Sequence, residues 1–506
     1  MRAGPGAGHI ARWLPAAVIA LVLCHAVWFY GRFPYDDAFI FMRIARRFAE
    51  TGEPYFNAHE RVLGHSSHLW LLLMTLLFKL WGPGLGPVKV MAAGSLVASL
   101  VLTIQLLRSF LPALLATAIA GFLVVVFLAP SGALLMEAPL AVALLLATLL
   151  AIERGRDGRA GLCAGLAAGT RYELVLLVPL AFIVVKDRRA FLRGVAGPLV
   201  VFLGFALGFF RTVVPLPVIA KDRVYQGTIE PLLLSGLHGA GWSGTTGALF
   251  GYLVFALLVG GLALHWGSIA RARSGPTWPW VAVTQSSMIL FAYIARESMV
   301  FPWYWPLITF PLSLSAIALI PQGGRGWIVA GLPLLCFRPL VSAGLDAAEG
   351  YVLSEPARHR EVGENSRTLE YLALGERLHR ESPEAHILAP EIGGLGWAFY
   401  PGHVSDALAL VSPENLKFHP LKVPEERRSG GVGAVPVGAV QEGQPDLVVA
   451  MECDTEAFRR AVADGALPNY RLRLQEPVVP RAVQEQFHVS GVVWGARYTE
   501  VYERVP

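Results

Sequence analysis

Runs of about twenty apolar residues recur through most of this 506-residue chain, and they restrict its possible folds more than any other feature. A helix rises about 1.5 Å per residue, so about 20 apolar residues cross the hydrocarbon of a bilayer. Segments 13–30, 88–107, 110–129, 133–151, 194–210, 246–265, 279–295, 303–320 and 326–345 meet or approach that length. Two shorter runs, 160–170 and 173–185, flank Arg171 and Glu173 and bring the count to about eleven. Charged residues make up 16% of the chain, against about 25% in soluble domains. Mean hydropathy is +0.52. The expected fold class is a polytopic α-helical membrane protein of about eleven transmembrane helices with a C-terminal α/β domain.

Lys and Arg in short loops set the orientation. With a cytoplasmic N-terminus, Arg108, the Arg154–Arg159 group, Lys186–Arg193, Arg271, Arg273 and Arg325 all lie inside. The reverse orientation puts nearly every basic loop outside. The run His68–Trp81 has only 14 residues, and counting it as a span reverses all later loops. It reads instead as a helix in the outer interface, where Trp70, Lys79 and Trp81 belong. Residues 31–87 thus form a long outer loop, with further outer segments at 211–245 and 296–302. The first apolar run is longer than a signal-peptide core and has no small-residue cleavage site after it, so it reads as an uncleaved span.

Composition changes near residue 345, where charges become frequent and long apolar runs stop. Residues 1–345 read as the membrane domain and 346–506 as a soluble extracytoplasmic α/β domain. Within the latter, 361–380 reads as an amphipathic helix and 386–390, 446–450 and 492–504 as strands. Gly393, Gly394 and Gly396 read as a turn after the first strand. The four cysteines have no zinc or redox spacing and read as structural. No basic tract points to nucleic acid.

A charge at membrane depth is costly and needs a partner or a task. Asp36 and Asp37 follow the first span directly, as a polar helix cap or as a base tuned by its neighbour. His59, Glu60, Arg61, His65, Ser66, Ser67 and His68 crowd the same loop, suited to a polar surface or to sugar and phosphate hydrogen bonding. Their spacing matches no metal-ligand pattern, so no metal residue is assigned and a divalent cation is without support. Glu137, Arg171 and Glu173 interrupt apolar runs, as a structural ion pair or as a site where Arg171 holds an anionic head group. Arg211 and Lys221 stand outside, against the charge trend, where cations meet a lipid phosphate or plain solvent. Arg296, Glu297 and Trp303–Trp305 form another rim, of the kind interfacial belts use.

These residues fall in a recognisable order. Tyr35–Ile40, Arg43, Phe56–Val62 and Gly64–Trp70 resemble the first outer loop of the GT-C membrane glycosyltransferases, nearest the terminal arabinofuranosyltransferases of actinobacterial cell walls. Ser131–Glu137 resembles that family's Ser-Gly-x-Glu turn with wider spacing. Thr170–Glu173 resembles its Thr-Arg-Pro-Glu, with Tyr172 for proline. Leu216–Lys221 resembles a Pro-Asn-Thr-x-x-x-Lys loop without the Asn-Thr. The resemblance implies inverting transfer of a sugar from a polyprenyl-phosphate donor to a cell-envelope glycan or glycolipid, with no certain cofactor. It implies Asp36 or Asp37 as general base, and Arg171, Lys221 and Arg211 on the donor phosphate. Tyr35, Arg43, His65, His68, Glu137 and Glu173 would contact substrate. The implied partners are the bilayer of a bacterial inner membrane, the lipid-linked sugar and the glycan acceptor. A flippase of lipid-linked sugars is the alternative, and it calls for paired inverted repeats that the sequence lacks. A non-catalytic scaffold leaves the aspartate pair without a task.

Overall fold

The computed structural model describes residues 7–225, 277–295, 301, 303–319, 360–428 and 433–505. Candidate spans 246–265 and 326–345, and the rim residues Arg296 and Glu297, lie outside the described residues. In chain order, α1 (Ala7–Tyr30), α2 (Asp36–Thr51), α3 (His68–Trp81), α4 (Leu85–Leu107) and α5 (Ala113–Phe127) lead to a single turn, α6 (Ala129–Ala133). Then follow α7 (Ala138–Glu153), α8 (Asp157–Thr170), α9 (Leu177–Val184), α10 (Arg188–Phe210) and α11 (Leu216–Val224). Two more apolar helices are α12 (Trp278–Ala295) and α13 (Pro306–Leu319). Among the described residues, α4 and α10 are long and apolar enough to cross a membrane.

The surface of α10 shows what solvent these helices need. Val200 is 69% exposed, and Val201, Leu203 and Leu207 are exposed on the same helix. A soluble helix turns its apolar stripe inward; this one presents apolar side chains outward, which is stable against lipid rather than water. Its inner side packs closely on α8, where Gly161, Gly165 and Gly169 recur every fourth residue. A Cβ at Gly161 would lie 2.0 Å from the Phe191 carbonyl oxygen, and one at Gly169 would lie 1.9 Å from the Phe202 ring. Small residues at that spacing let two helices approach in the absence of a hydrophobic driving force.

The run His68–Trp81 is a helix with the expected limits. The interrupted run is broken where the charges sit: α8 ends at Thr170, Arg171 is extended, and Tyr172–Leu176 is a 3₁₀ turn before α9.

In the C-terminal part, α14 (Arg360–Glu381) precedes a five-stranded sheet of β1 (Ile387–Ala389), β2 (Val404–Asp406), β3 (Leu447–Met451), β4 (Tyr470–Pro477) and β5 (Tyr498–Arg504). The order is β2-β1-β3-β5-β4. Strands β2, β1 and β3 are parallel, with Ile387 opposite Val404 on one side and Leu447 on the other. β5 runs antiparallel to β3 and β4, with Val449 opposite Val501. β3 is buried throughout, as a central parallel strand should be, while the edge strand β4 carries exposed Arg471. The sequence reading missed β2, which has three residues and no room for a periodic pattern, and β4, whose Tyr-Arg-Leu-Arg-Leu alternation was legible. It also took Gly393–Gly396 for a turn; these residues open a short helix, α15 (Gly393–Ala398).

Candidate active site

Why that helix needs glycine becomes clear at its partner. Asp36, first residue of α2, is buried, and its two carboxylate oxygens accept the backbone N–H groups of Gly393 (2.7 Å) and Gly394 (2.8 Å). A Cβ at Gly393 would sit 1.8 Å from the Asp36 carbonyl oxygen. Close approach of two backbones, not a turn, is what the glycine serves. Arg43, one side of α2 further on, completes the joint. Its buried guanidinium donates to the Phe56 carbonyl (2.9 Å), the Gly402 carbonyl (2.6 Å) and the Gly396 carbonyl. Asp36 and Arg43 therefore fasten the C-terminal sheet onto α2 and the first loop.

Asp37 faces elsewhere, because successive residues on a helix point about 100° apart. Its carboxylate lies 3.5 Å from the Lys221 ammonium on α11, with both side chains partly open. Lys221 also donates to the Tyr304 hydroxyl at 3.2 Å and stands 4.2 Å above the Phe301 ring. Tyr35 packs against Trp303 beside them, with ring centroids 4.8 Å apart and the planes inclined at 50°.

Three cavities meet at Lys221. The first, of about 330 Å³, is walled mainly by apolar atoms of Val175, Leu176, Pro217, Val218, Ile289 and Ala292. The second, of about 230 Å³, lies between α2 and the C-terminal part. A narrow third chamber of about 30 Å³ is lined by His65, Ser66, Glu137 and Arg171. Lys221 lines all three, and Asp37 lines the second and third.

Arg171 is fully engaged. Its guanidinium is paired with Glu137 and, in a fork, with Glu173, and it lies 4.1 Å over the Tyr304 ring. Tyr293 donates to Glu173 at 2.7 Å. The second oxygen of Glu137 has no partner among the described residues. His65 and His68 are within 3.0 Å of each other, amid Phe41, Phe202, Phe205 and Phe210. Arg211 is exposed in a left-handed conformation at the end of α10 and lines none of these cavities. Thus the structure gathers Tyr35, Asp37, His65, Glu137, Arg171, Glu173 and Lys221, and leaves Arg211 apart. Sequence reasoning did not assign Tyr293, Tyr304, Arg367 or Glu391 to a site. Two of them carried a signal: Tyr304 stands in the aromatic rim Trp303–Trp305, and Glu391 lies just beyond the carboxyl end of a strand in a parallel sheet, where ligands collect.

Burial, with Glu391 nearby, pushes the Asp36 carboxyl up to about 7 from 3.8, although its two backbone donors pull the other way. The folded chain therefore holds a proton there that the unfolded chain has released, between about 4 and about 7. Stability contributed by this group falls as pH rises through that window and is constant above it. The expected result is a smaller pH dependence of the thermal midpoint in Asp36→Asn than in wild type across this window. Equal slopes in both proteins would contradict the latch.

No family model matches the sequence, and no curated protein matches it. Among solved structures, the chain is similar to ArnT from Cupriavidus metallidurans bound to undecaprenyl phosphate. The TM-score is 0.53 at 14% identity, covering 97% of each chain. It also aligns with the mycobacterial arabinofuranosyltransferase AftD, at TM-score 0.44 and 14% identity, over 97% of this chain and 40% of AftD. The ArnT likeness runs from end to end, through the helices and the C-terminal part alike. The chain has the fold of ArnT.

Proposed function

We propose that the chain is an inverting glycosyltransferase of a bacterial inner membrane, moving a sugar from a polyprenyl-phosphate donor to a hydroxyl of a cell-envelope glycan or glycolipid. The observation that carries this reading is the Asp37–Lys221 pair, 3.5 Å apart where an apolar cavity meets a polar one. A lipid-linked sugar has an apolar tail and a charged phosphate; the first cavity offers the apolar environment, and Lys221 at its edge offers the cation for the phosphate. The undecaprenyl phosphate held by ArnT is a carrier of this class. Arabinofuranose is the first donor sugar to test, on the resemblance of the first loop.

In this reading Asp37 takes the proton of the acceptor hydroxyl, whose oxygen attacks the anomeric carbon as the bond to phosphate oxygen breaks. Polyprenyl phosphate departs with its charge held by the Lys221 ammonium. Lys221 is the phosphate cation because Arg171 is already shared by two carboxylates. The free oxygen of Glu137 accepts from a hydroxyl of the donor sugar in the narrow chamber. Asp36 and Arg43 hold the C-terminal part in place rather than touch substrate.

Lys221→Ala removes a charged hydrogen-bond partner of the phosphate, worth about 1.5–3 kcal/mol, and is expected to raise KM for the donor about 10- to 100-fold. Initial rates of polyprenyl-phosphate release over a donor titration measure this. An unchanged donor KM in Lys221→Ala would remove Lys221 from the phosphate site.

A further inference from the structure

The second cavity has a wall that the transfer step does not use. The C-terminal part supplies it, through Glu364, Asn365, Arg367, Glu391 and Asp454, across from Asp37. Among the described residues lining this cavity, carboxylates outnumber cations by five to two, since Asp36, Asp37, Glu364, Glu391 and Asp454 face only Lys221 and Arg367. Neither cation is idle. Arg367 is forked onto Glu391 at 3.1 and 3.3 Å and stacked on Trp494 at 4.3 Å, and Lys221 is beside Asp37. Burial lifts the Asp454 carboxyl to about 6 and raises that of Glu391, so a charged group is costly in this space.

A second observation points to a ligand. Asn365 is 3% exposed and lines the cavity, yet its amide nitrogen has no hydrogen-bond partner among the described residues. A buried donor left unmade costs about 1–3 kcal/mol, so its presence in a cavity wall calls for an acceptor from outside the chain. A sugar hydroxyl meets both needs, accepting from Asn365 and donating to the carboxylates. A phosphate or uronate satisfies Asn365 but faces the carboxylates with like charge.

We infer that this wall is the acceptor subsite and that it selects an uncharged, hydroxyl-rich glycan end over an anionic one. The inference rests on the glycosyl-transfer reading above and adds the charge class of the acceptor and the residues that choose it. Asn365 positions a hydroxyl of the glycan, and the carboxylates of the C-terminal part exclude phosphorylated and acidic ends.

The test is direct binding without donor, so that it is independent of catalysis. Purified full-length protein in lipid nanodiscs is titrated with neutral pentose and hexose oligosaccharides and with uronate oligosaccharides of equal length, by calorimetry. Neutral oligosaccharides are expected to bind about tenfold or more tightly than uronates, from the cost of like charge at a desolvated site. Asn365→Ala is expected to weaken neutral binding about tenfold, the worth of one buried hydrogen bond. Uronates binding as well as neutral sugars, no neutral sugar binding, or an unchanged affinity in Asn365→Ala would each overturn the subsite. Neutral-glycan binding lost in Asn365→Ala, with no polyprenyl phosphate released from any donor, would leave the subsite standing and remove the transferase reading instead.

Discussion

Asp37→Ala is expected to lower turnover about 10²- to 10⁴-fold, the usual worth of a general base, at wild-type expression and thermal midpoint. Stability is spared because the Asp37 side chain is 27% exposed, so the Lys221 ammonium left behind remains within reach of water and of Tyr304. Asp36→Ala is expected to behave differently. It strands the buried N–H groups of Gly393 and Gly394, each at a cost of about 1–3 kcal/mol. Its thermal midpoint falls, and its activity loss follows from the loosened C-terminal part. The two variants, assayed side by side for turnover and melting, separate a residue that reacts from one that positions. Wild-type turnover in Asp37→Ala, or a wild-type midpoint in Asp36→Ala, would reverse the division.

The second large effect concerns Arg171. Removing it leaves Glu137 and Glu173, both nearly inaccessible, without their shared cation. Breaking a buried pair by deleting one partner costs about 3–5 kcal/mol, because the remaining charge is uncompensated. Arg171→Ala is therefore expected to melt far below wild type. Arg171→Lys rescues little, since an ammonium does not reproduce the fork on Glu173. Combining Arg171→Leu with Glu137→Gln and Glu173→Gln restores much of the midpoint, because no buried charge is then left alone. Melting of the single and triple variants in lipid measures this. An Arg171→Ala protein as stable as wild type would show that the triad does not support the fold.

Much of this was legible before the structure. The apolar runs announce helices, and the run 68–81 is a helix with the limits its apolar residues set. Arg171 and Glu173 mark the break between α8 and α9, since charges inside an apolar run must find each other or a cavity. Strands Ile387–Ala389, Leu447–Met451 and Tyr498–Arg504 fall within or beside the runs that announce them.

What the sequence withheld is partnership over distance. Asp36 and Asp37 are adjacent and chemically identical, and it is Asp36 that accepts from Gly393 and Gly394, more than 350 residues away in the chain. No local pattern carries that contact. The Gly393–Gly396 stretch misleads for the same reason: Gly393 answers to the backbone of α2, Gly394 to Thr368 on α14 and Gly396 to the Phe56 ring, not to a turn of their own. Arg43 reads as substrate-binding from the loop it sits in, and only the carbonyls of Gly396 and Gly402 reveal it as a fastener. Arg211 and Lys221 are indistinguishable as cations against the charge trend, until α11 turns Lys221 toward Asp37 and the end of α10 leaves Arg211 at the surface.

The most direct measurement is release of polyprenyl phosphate by protein reconstituted in lipid, followed by mass spectrometry. Wild type, Asp37→Ala and Lys221→Ala are each offered a panel of polyprenyl-phosphate sugars, arabinofuranose among them, with a mixed neutral glycan acceptor. The expected result is release with one sugar, lost in Asp37→Ala and shifted to higher donor concentration in Lys221→Ala. No release with any sugar, alongside passage of the lipid-linked sugar across the bilayer, would contradict the transferase reading and make the chain a transporter.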